Sequence, residues 1–244
     1  MIPFQDQWAG SAHAEAAALA AAGPAALGST LFVTLEPCTH HGRTPPCVEA
    51  ILEAGVARVV VGALDPDPRV SGRGVAQLRE AGVEVITGIE EPAVVENDPG
   101  YFHHRTHGIP QVILKLAATL DGQIAAADGT SQWITGPRMR SRVHEWRATS
   151  DAVMVGAGTI IADDPQLDVR VDGYRGRQPR PVIVAGSRPL PASAGIWRRD
   201  PLVLATRPID VPAGELAVIG GEPGDGVDLR RALELLGDRG LLRV

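Results

Sequence analysis

His13 and Glu15 stand two residues apart near the start of the sequence, and Cys38 and Cys47, its only cysteines, share one later stretch. One imidazole and two thiolates make a three-ligand set that leaves zinc a fourth position for water, as catalytic rather than closed structural sites do. Zinc lowers the pKa of its bound water to about 7, so the set implies hydrolysis at neutral pH. Glu15 is the carboxylate that moves the proton to the leaving group. A closed site with His40 or His41 as fourth ligand is the alternative, and it leaves Glu15 without a role. Residues two apart on a regular helix do not face each other, so His13 and Glu15 share a site only at the very start of a helix, with Ser11 as candidate cap. Pro37 and Pro46 each precede a cysteine, which predicts that both thiols sit at helix starts, where the dipole favours thiolate.

A second series of polar groups falls at strand ends: Lys115, then Asp121-Gly122, Ser131 to Thr135, Gly156 to Thr159, and Asp163-Asp164-Pro165. Such positions are where α/β sheets bind ligands. The dinucleotide fingerprint G-x-G-x-x-G fails, because Ile161 stands where the third glycine belongs. Lys115 is the only lysine in the chain, against 23 lysines and arginines together.

The elements that must position these groups alternate. Ala14 to Ala22 is a run of helix formers ended by Gly23-Pro24, and Thr30 to Leu35 has strand character. Pro45-Pro46 opens a helix through Val48 to Ala54 that stops at Gly55, and Ala57 to Val61 reads as a buried strand. Gly74 to Ala81 is helical with Gly82 as its cap, and Val83 to Ile86 is a further strand, the alternation of a parallel α/β unit. Asn97 to Pro110 reads as a helix end and linker, and a new strand begins at Gln111 to Leu116. The boundary falls near Gly108, giving domains 1–107 and 108–244. Strands are expected at Ala152 to Val155, Pro181 to Ala185, Leu202 to Ala205 and Leu241 to Val244, and helices at Pro137 to Ala148 and Leu229 to Leu236.

At 244 residues, two domains are the better reading. Hydrophobic residues make up 44% and charged residues 21%, the composition of a folded chain with a core. The apolar runs fall short of the ~18 residues that a membrane span needs. A net charge of −6 argues against nucleic acid as partner and leaves a small molecule. The first residues lack the apolar h-region of a signal peptide, so the expected compartment is the cytosol, where two cysteines serve a metal or catalysis more readily than a disulfide.

His13-Ala14-Glu15 with Glu36-Pro37-Cys38 and Cys47 is a variant of the zinc deaminase signature H-x-E with P-C-x-x-C, the cysteines having eight residues between them instead of two. With that long loop, the segment resembles the deaminase half of the riboflavin-biosynthesis bifunctional deaminase/reductase family. From Lys115 to Arg170 the chain resembles the reductase half, through its K-x-A-x-T-x-D-G, S-x-W-I-T and V-G-x-x-T-x-x-A-D-D-P patterns. The resemblance implies a cytidine-deaminase-like zinc domain followed by a dihydrofolate-reductase-like domain, both three-layer with mostly parallel sheet. It implies one zinc per chain on His13, Cys38 and Cys47, NADPH against Ala117, Trp133, Thr159, Asp163 and Gly186, and a pyrimidine nucleotide as substrate. His40 and the loop carrying Asp65, Asp67 and Gly72-Arg73-Gly74 would contact that substrate in the first half, and Ser131, Arg147, Leu167 and Arg170 in the second.

The implied reactions are deamination of 2,5-diamino-6-(5-phosphoribosylamino)pyrimidin-4-one and NADPH-dependent reduction of its ribosyl side chain, with Lys115 and Asp121 as candidates to stabilise or protonate the reduced centre. Homo-oligomers are compatible with this. Gly186 replaces a serine usual in the family. The family also carries an Asn-Pro segment ahead of its H-x-E and a Glu-Gly-Gly segment after the point where this sequence stops, so both sites are expected to be incomplete. The rival readings are a zinc deaminase of another base and a non-catalytic remnant binding zinc or a nucleotide.

Overall fold

The computed structural model describes residues 12–41, 45–220 and 226–244. The chain divides into two compact units, Met1–Thr106 and His107–Val244.

The first unit runs α1 (Ala14–Ala22), β1 (Thr30–Leu35), α2 (Cys47–Glu53), β2 (Arg58–Ala63), α3 (Arg73–Glu80), β3 (Glu84–Thr87), α4 (Glu91–Asn97) and α5 (Pro99–His107). Its three strands are parallel in the order β1-β2-β3, with Val33 opposite Val61 and Val61 opposite Thr87. Parallel strands need helical crossovers, and α2 and α3 supply them. Val59 and Val61 of β2 pack with Val48 and Ile51 of α2 and with Val75 and Leu78 of α3. On β2, Gly62 is obligatory, since a Cβ there would lie 2.7 Å from both the Thr34 carbonyl and the Val94 side chain of α4.

The second unit runs α6 (Pro137–Ala148), β4 (Ala152–Gly156), α7 (Ala157–Asp163), β5 (Arg180–Gly186), β6 (Leu202–Ala205), β7 (Glu215–Val218) and α8 (Leu229–Asp238). Strands β4 to β7 are parallel in sequence order. Successive residues of β5 and β6 feed opposite faces. Val182, Leu202 and Leu204 join Ala232 and Leu236 of α8, whereas Ile183 and Val203 join Ile160 of α7 with Ile196 and Trp197. Helices on both faces explain why these strands read as continuous apolar runs.

Several expectations are corrected. The stretch 97–110 is largely α5, not a linker: Pro99 opens it, and the Asp98 carboxylate accepts from the Tyr101 N–H at 3.2 Å. The strand expected at 111–116 is a single bridge, Gln111 to Arg243, extended by the Ile113 N–H donating to the Val244 carbonyl at 2.8 Å. A strand exists only against a partner, and Leu114 and Leu116 have none among the described residues and are exposed. For the same reason Leu241 to Val244 contributes that bridge instead of a full strand. Two elements passed over, α7 and β7, are short and lack a strong periodic pattern.

Candidate metal centre and nucleotide site

His13 immediately precedes α1 with φ −60° and ψ 153°, so its backbone is still extended. That places its ring on the same side as Glu15 in the first turn, as the H-x-E spacing requires. Ser11 lies outside the described residues. Cys47 is the first residue of α2, with Pro46 extended ahead of it. Cys38 does not open a helix, contrary to expectation: it lies in irregular chain after β1 and faces the start of α2 instead. The Cys47 N–H donates to Cys38 Sγ at 3.3 Å, and the Val48 N–H donates to the Cys38 carbonyl at 3.2 Å. One helix start therefore serves both sulfurs.

His13 Nδ1 lies 3.1 Å from Cys47 Sγ and 3.6 Å from Cys38 Sγ, and the three donor atoms fall within 4.8 Å of one another. Tetrahedral zinc, at about 2.3 Å from sulfur and about 2.0 Å from nitrogen, sets N···S near ~3.5 Å, so this set fits the ion. The Cys38 thiol is pulled down from 9.0 to about 5, first by the hydrogen bond from Cys47, then by the Cys47 N–H and His13, against its burial. Cys47 is pushed up by its bond to Cys38, by burial and by the Glu15 carboxylate, with which it also hydrogen-bonds. The bond between the sulfurs thus favours the thiolate on Cys38 and opposes it on Cys47, and a metal held here would need both thiols deprotonated. Neither His40 nor His41 joins the group. His41 Nε2 faces Glu49 at 3.7 Å on the surface, while His40 Nδ1 is buried without a hydrogen-bond partner among the described residues.

The loop after β2 is held from inside. Glu36, only 3% exposed, accepts backbone N–H groups from Asp65 at 3.3 Å, Gly72 at 2.8 Å and Val75 at 3.1 Å. The Asp65 carboxylate accepts from the Asp67 N–H at 2.8 Å and from the Tyr101 hydroxyl at 2.9 Å; burial pushes its pKa up. Asp67 accepts from the backbone N–H and the guanidinium of Arg69, which holds its carboxyl well below the usual range, and Arg105 lies 3.6 Å away. Both aspartates expected to touch substrate are buried, with internal hydrogen-bond partners on the loop itself and on α5. Sequence reading passed over Glu36 and Tyr101; the only signal was the position of Glu36 in the E-P-C motif.

In the second unit Arg147 and Arg170 come together around Asp168. The Arg147 guanidinium donates to the Asp168 carbonyl at 3.1 Å, and Arg170 Nε lies 3.0 Å from the Asp168 carboxylate. His144, also missed from sequence, accepts the Arg170 N–H at 3.2 Å, and its pKa is lowered by burial and by the two arginines. Arg147 is lowered by burial and by Arg170, a crowding of positive charge with one carboxylate against it. Leu167 adopts φ +52° and buries its side chain with Ile160 of α7, which leaves its backbone as the part that could meet a ligand. Trp133 is exposed, with the Arg140 guanidinium 4.3 Å from its ring centroid. Lys115, Asp121 and Ser131 lie on exposed irregular chain, where Asp121 accepts from the Thr119 hydroxyl. Ala117 is half-buried in the same stretch. Thr159 and Asp163 lie on α7, and Gly186 ends β5 at φ +62°, where a serine would be strained. Among the described residues no hydrogen bond or ion pair links these groups to the Arg147–Arg170 cluster.

Two parallel α/β units, the first carrying an H-x-E helix start and two cysteines around one metal position, define a protein of the zinc deaminase class joined to a second enzyme-like domain. The cytidine and deoxycytidylate deaminase zinc-binding region matches residues 5–63, and the RibD C-terminal domain matches residues 110–244. The chain belongs to the RibD family. It is 45% identical over 201 residues to the riboflavin biosynthesis protein RibD of Aquifex aeolicus, matching 82% of this chain and 56% of that one. A solved structure of Acinetobacter baumannii RibD superposes with a TM-score of 0.84 at 40% identity, covering 97% of this chain and 67% of that one. A Thermotoga maritima structure, a diaminohydroxyphosphoribosylaminopyrimidine deaminase/5-amino-6-(5-phosphoribosylamino)uracil reductase, gives 0.82 at 37% identity with the same coverage. The chain thus spans about half to two thirds of the length of such relatives. Among the described residues no helix is long and apolar enough to cross a membrane.

Proposed function

We propose that the first unit catalyses zinc-dependent hydrolytic deamination of 2,5-diamino-6-(5-phosphoribosylamino)pyrimidin-4-one, and that the second reduces the ribosyl side chain to ribityl with NADPH. The observation that carries this reading is the convergence of His13, Cys38 and Cys47 within 4.8 Å with Glu15 against Cys47. Zinc held by His13, Cys38 and Cys47 would supply a water activated for attack at neutral pH. Glu15, on the first turn of α1, takes the proton from that water and returns it to the departing ammonia. The unpartnered, buried His40 Nδ1 is placed to hydrogen-bond the pyrimidine.

In the second unit Arg147 and Arg170 hold the substrate phosphate, since their charges exceed what Asp168 offsets. Ser131 bonds the sugar hydroxyls, and Leu167 contributes only backbone. Ala117, Trp133, Thr159, Asp163 and Gly186 would hold NADPH, which would supply the hydride to C1′. Lys115 and Asp121 act on the proton at that centre. Asp65 and Asp67, on the loop after β2, belong to the substrate side of the first site. The reading places the chain in the cytosol, where its two unbridged cysteines stay reduced.

The test is zinc content by elemental analysis beside ammonia release from the diaminopyrimidine nucleotide. About one zinc per chain with ammonia release is expected, and Glu15→Gln is expected to keep the zinc and lose the release. Retained turnover in that variant removes Glu15 from its role, and a chain that takes up no zinc refutes the metal site.

A further inference from the structure

Glu36 is a carboxylate with 3% of its surface exposed, two residues before the proposed metal ligand Cys38, and it forms no salt bridge among the described residues. Its two oxygens are saturated by backbone donors alone, from Asp65, Gly72 and Val75. All three lie in the chain between β2 and the first turns of α3, so one side chain on the Cys38 turn collects a whole loop. A second feature shows how closely the two segments are fitted. Gly74 approaches the turn so nearly that an added Cβ would lie 2.1 Å from the Pro37 carbonyl oxygen and 3.3 Å from Glu36 Cγ. Gly72 is the other glycine of the loop, and its φ of +84° directs its N–H to Glu36. The loop is gripped in turn from α5, because the Tyr101 hydroxyl donates to Asp65.

Resting on the metal-site reading above, we propose that Glu36 is a positioning residue for the ligand Cys38: its buried carboxylate fixes the Glu36-Pro37-Cys38 turn to the 65–75 loop, and Asp65 and Tyr101 brace that loop from α5. Groups that orient metal ligands act on metal affinity without touching the ion, and their loss typically weakens it by about 10–100-fold. The Gly72-Arg73-Gly74 stretch then serves this fit instead of binding a ligand. Glutamine at position 36 retains one acceptor oxygen and turns an NH2 toward at least one backbone N–H, so a donor faces a donor.

The experiment loads the full chain with zinc or cobalt and follows transfer to a chromophoric chelator and the thiolate-to-cobalt absorption bands. Glu36→Gln is expected to release zinc at least tenfold faster and to shift those bands. Tyr101→Phe, which leaves every backbone donor in place, is expected to speed release several-fold and decides the matter should Glu36→Gln not fold. Val59→Ala, in the buried strand β2 and away from the turn, controls for general loss of stability and is expected to release zinc within about twofold of the native rate. Unchanged release in Glu36→Gln or Tyr101→Phe overturns the brace, as does an equal acceleration in Val59→Ala. A native chain that takes up no metal overturns the metal-site reading itself, a result distinct from either.

Discussion

Replacing Gly74 by alanine sets two effects of opposite sign against each other. Gly74 is the second residue of α3, and in an exposed helix the change would stabilise by about 1 kcal/mol. Here the new Cβ meets the Pro37 carbonyl oxygen at 2.1 Å. Normal contact begins above 3.0 Å, so about 1 Å of backbone displacement is required, and the obstructing atom cannot rotate away. Overpacking of this kind costs about 1–3 kcal/mol, and a backbone obstacle belongs at the upper end. The expected net loss is about 2 kcal/mol, or a fall of roughly 8 °C in the melting of a unit of this size. The assay is thermal unfolding of the zinc-loaded chain, with Gly72→Ala as comparison. At Gly72 no atom lies within 4 Å of the added Cβ, and only its positive φ is penalised, by about 1 kcal/mol. A Gly74→Ala chain as stable as the native one would refute the close approach of α3 to the turn.

Two further outcomes concern the second unit. Arg147→Ala or Arg170→Ala is expected to weaken binding of the phosphorylated substrate by about 10–100-fold, since charge-assisted bonds to an anion are worth about 1.5–3 kcal/mol; titration calorimetry measures it, and unchanged affinity in both variants removes the phosphate from this cluster. His144, lowered by burial and by Arg147 and Arg170 and only partly supported by Asp168, is expected to titrate below its ordinary 6.5. Inorganic phosphate at the cluster offsets those arginine charges and is expected to raise that value, followed by the imidazole proton resonances; a value indifferent to phosphate refutes the site.

How much of this was legible before any coordinates depends on how local each determinant is. Helix α6 was read at its observed bounds because Pro137 marks its start and the run to Ala148 holds no further breaker. Strand β6 was likewise read at its bounds, since its four residues are all apolar and all buried. The metal set was legible because cysteine and the H-x-E spacing are rare and chemically distinctive. The role of Glu36 was not, because carboxylates are common and its three donors come from residues 29 to 39 positions away. The 111–116 stretch misled for a related reason. Its composition is that of a strand, but pairing is decided by partners more than a hundred residues distant. The internal partners of Asp65 and Asp67 were not legible either, because an Asp-Pro loop carries no mark of which way its carboxylates turn.

The bridge between Gln111 and Arg243 also sets an order in time. Both the Leu242 and Arg243 N–H groups donate to the Asp151 carboxylate, at 2.9 Å each, and the Asp151 N–H returns a bond to the Arg243 carbonyl at 2.8 Å. Residues 242–244 are thus the filler between Gln111–Ile113 on one side and β4 on the other. A ribosome adding about 5–20 residues per second delivers them roughly 5–20 s after Asp151. For that interval this flank of the nascent sheet stays unzipped, because the backbone groups of Gln111 and Ile113 and the Asp151 carboxylate wait for the partners that residues 242–244 bring.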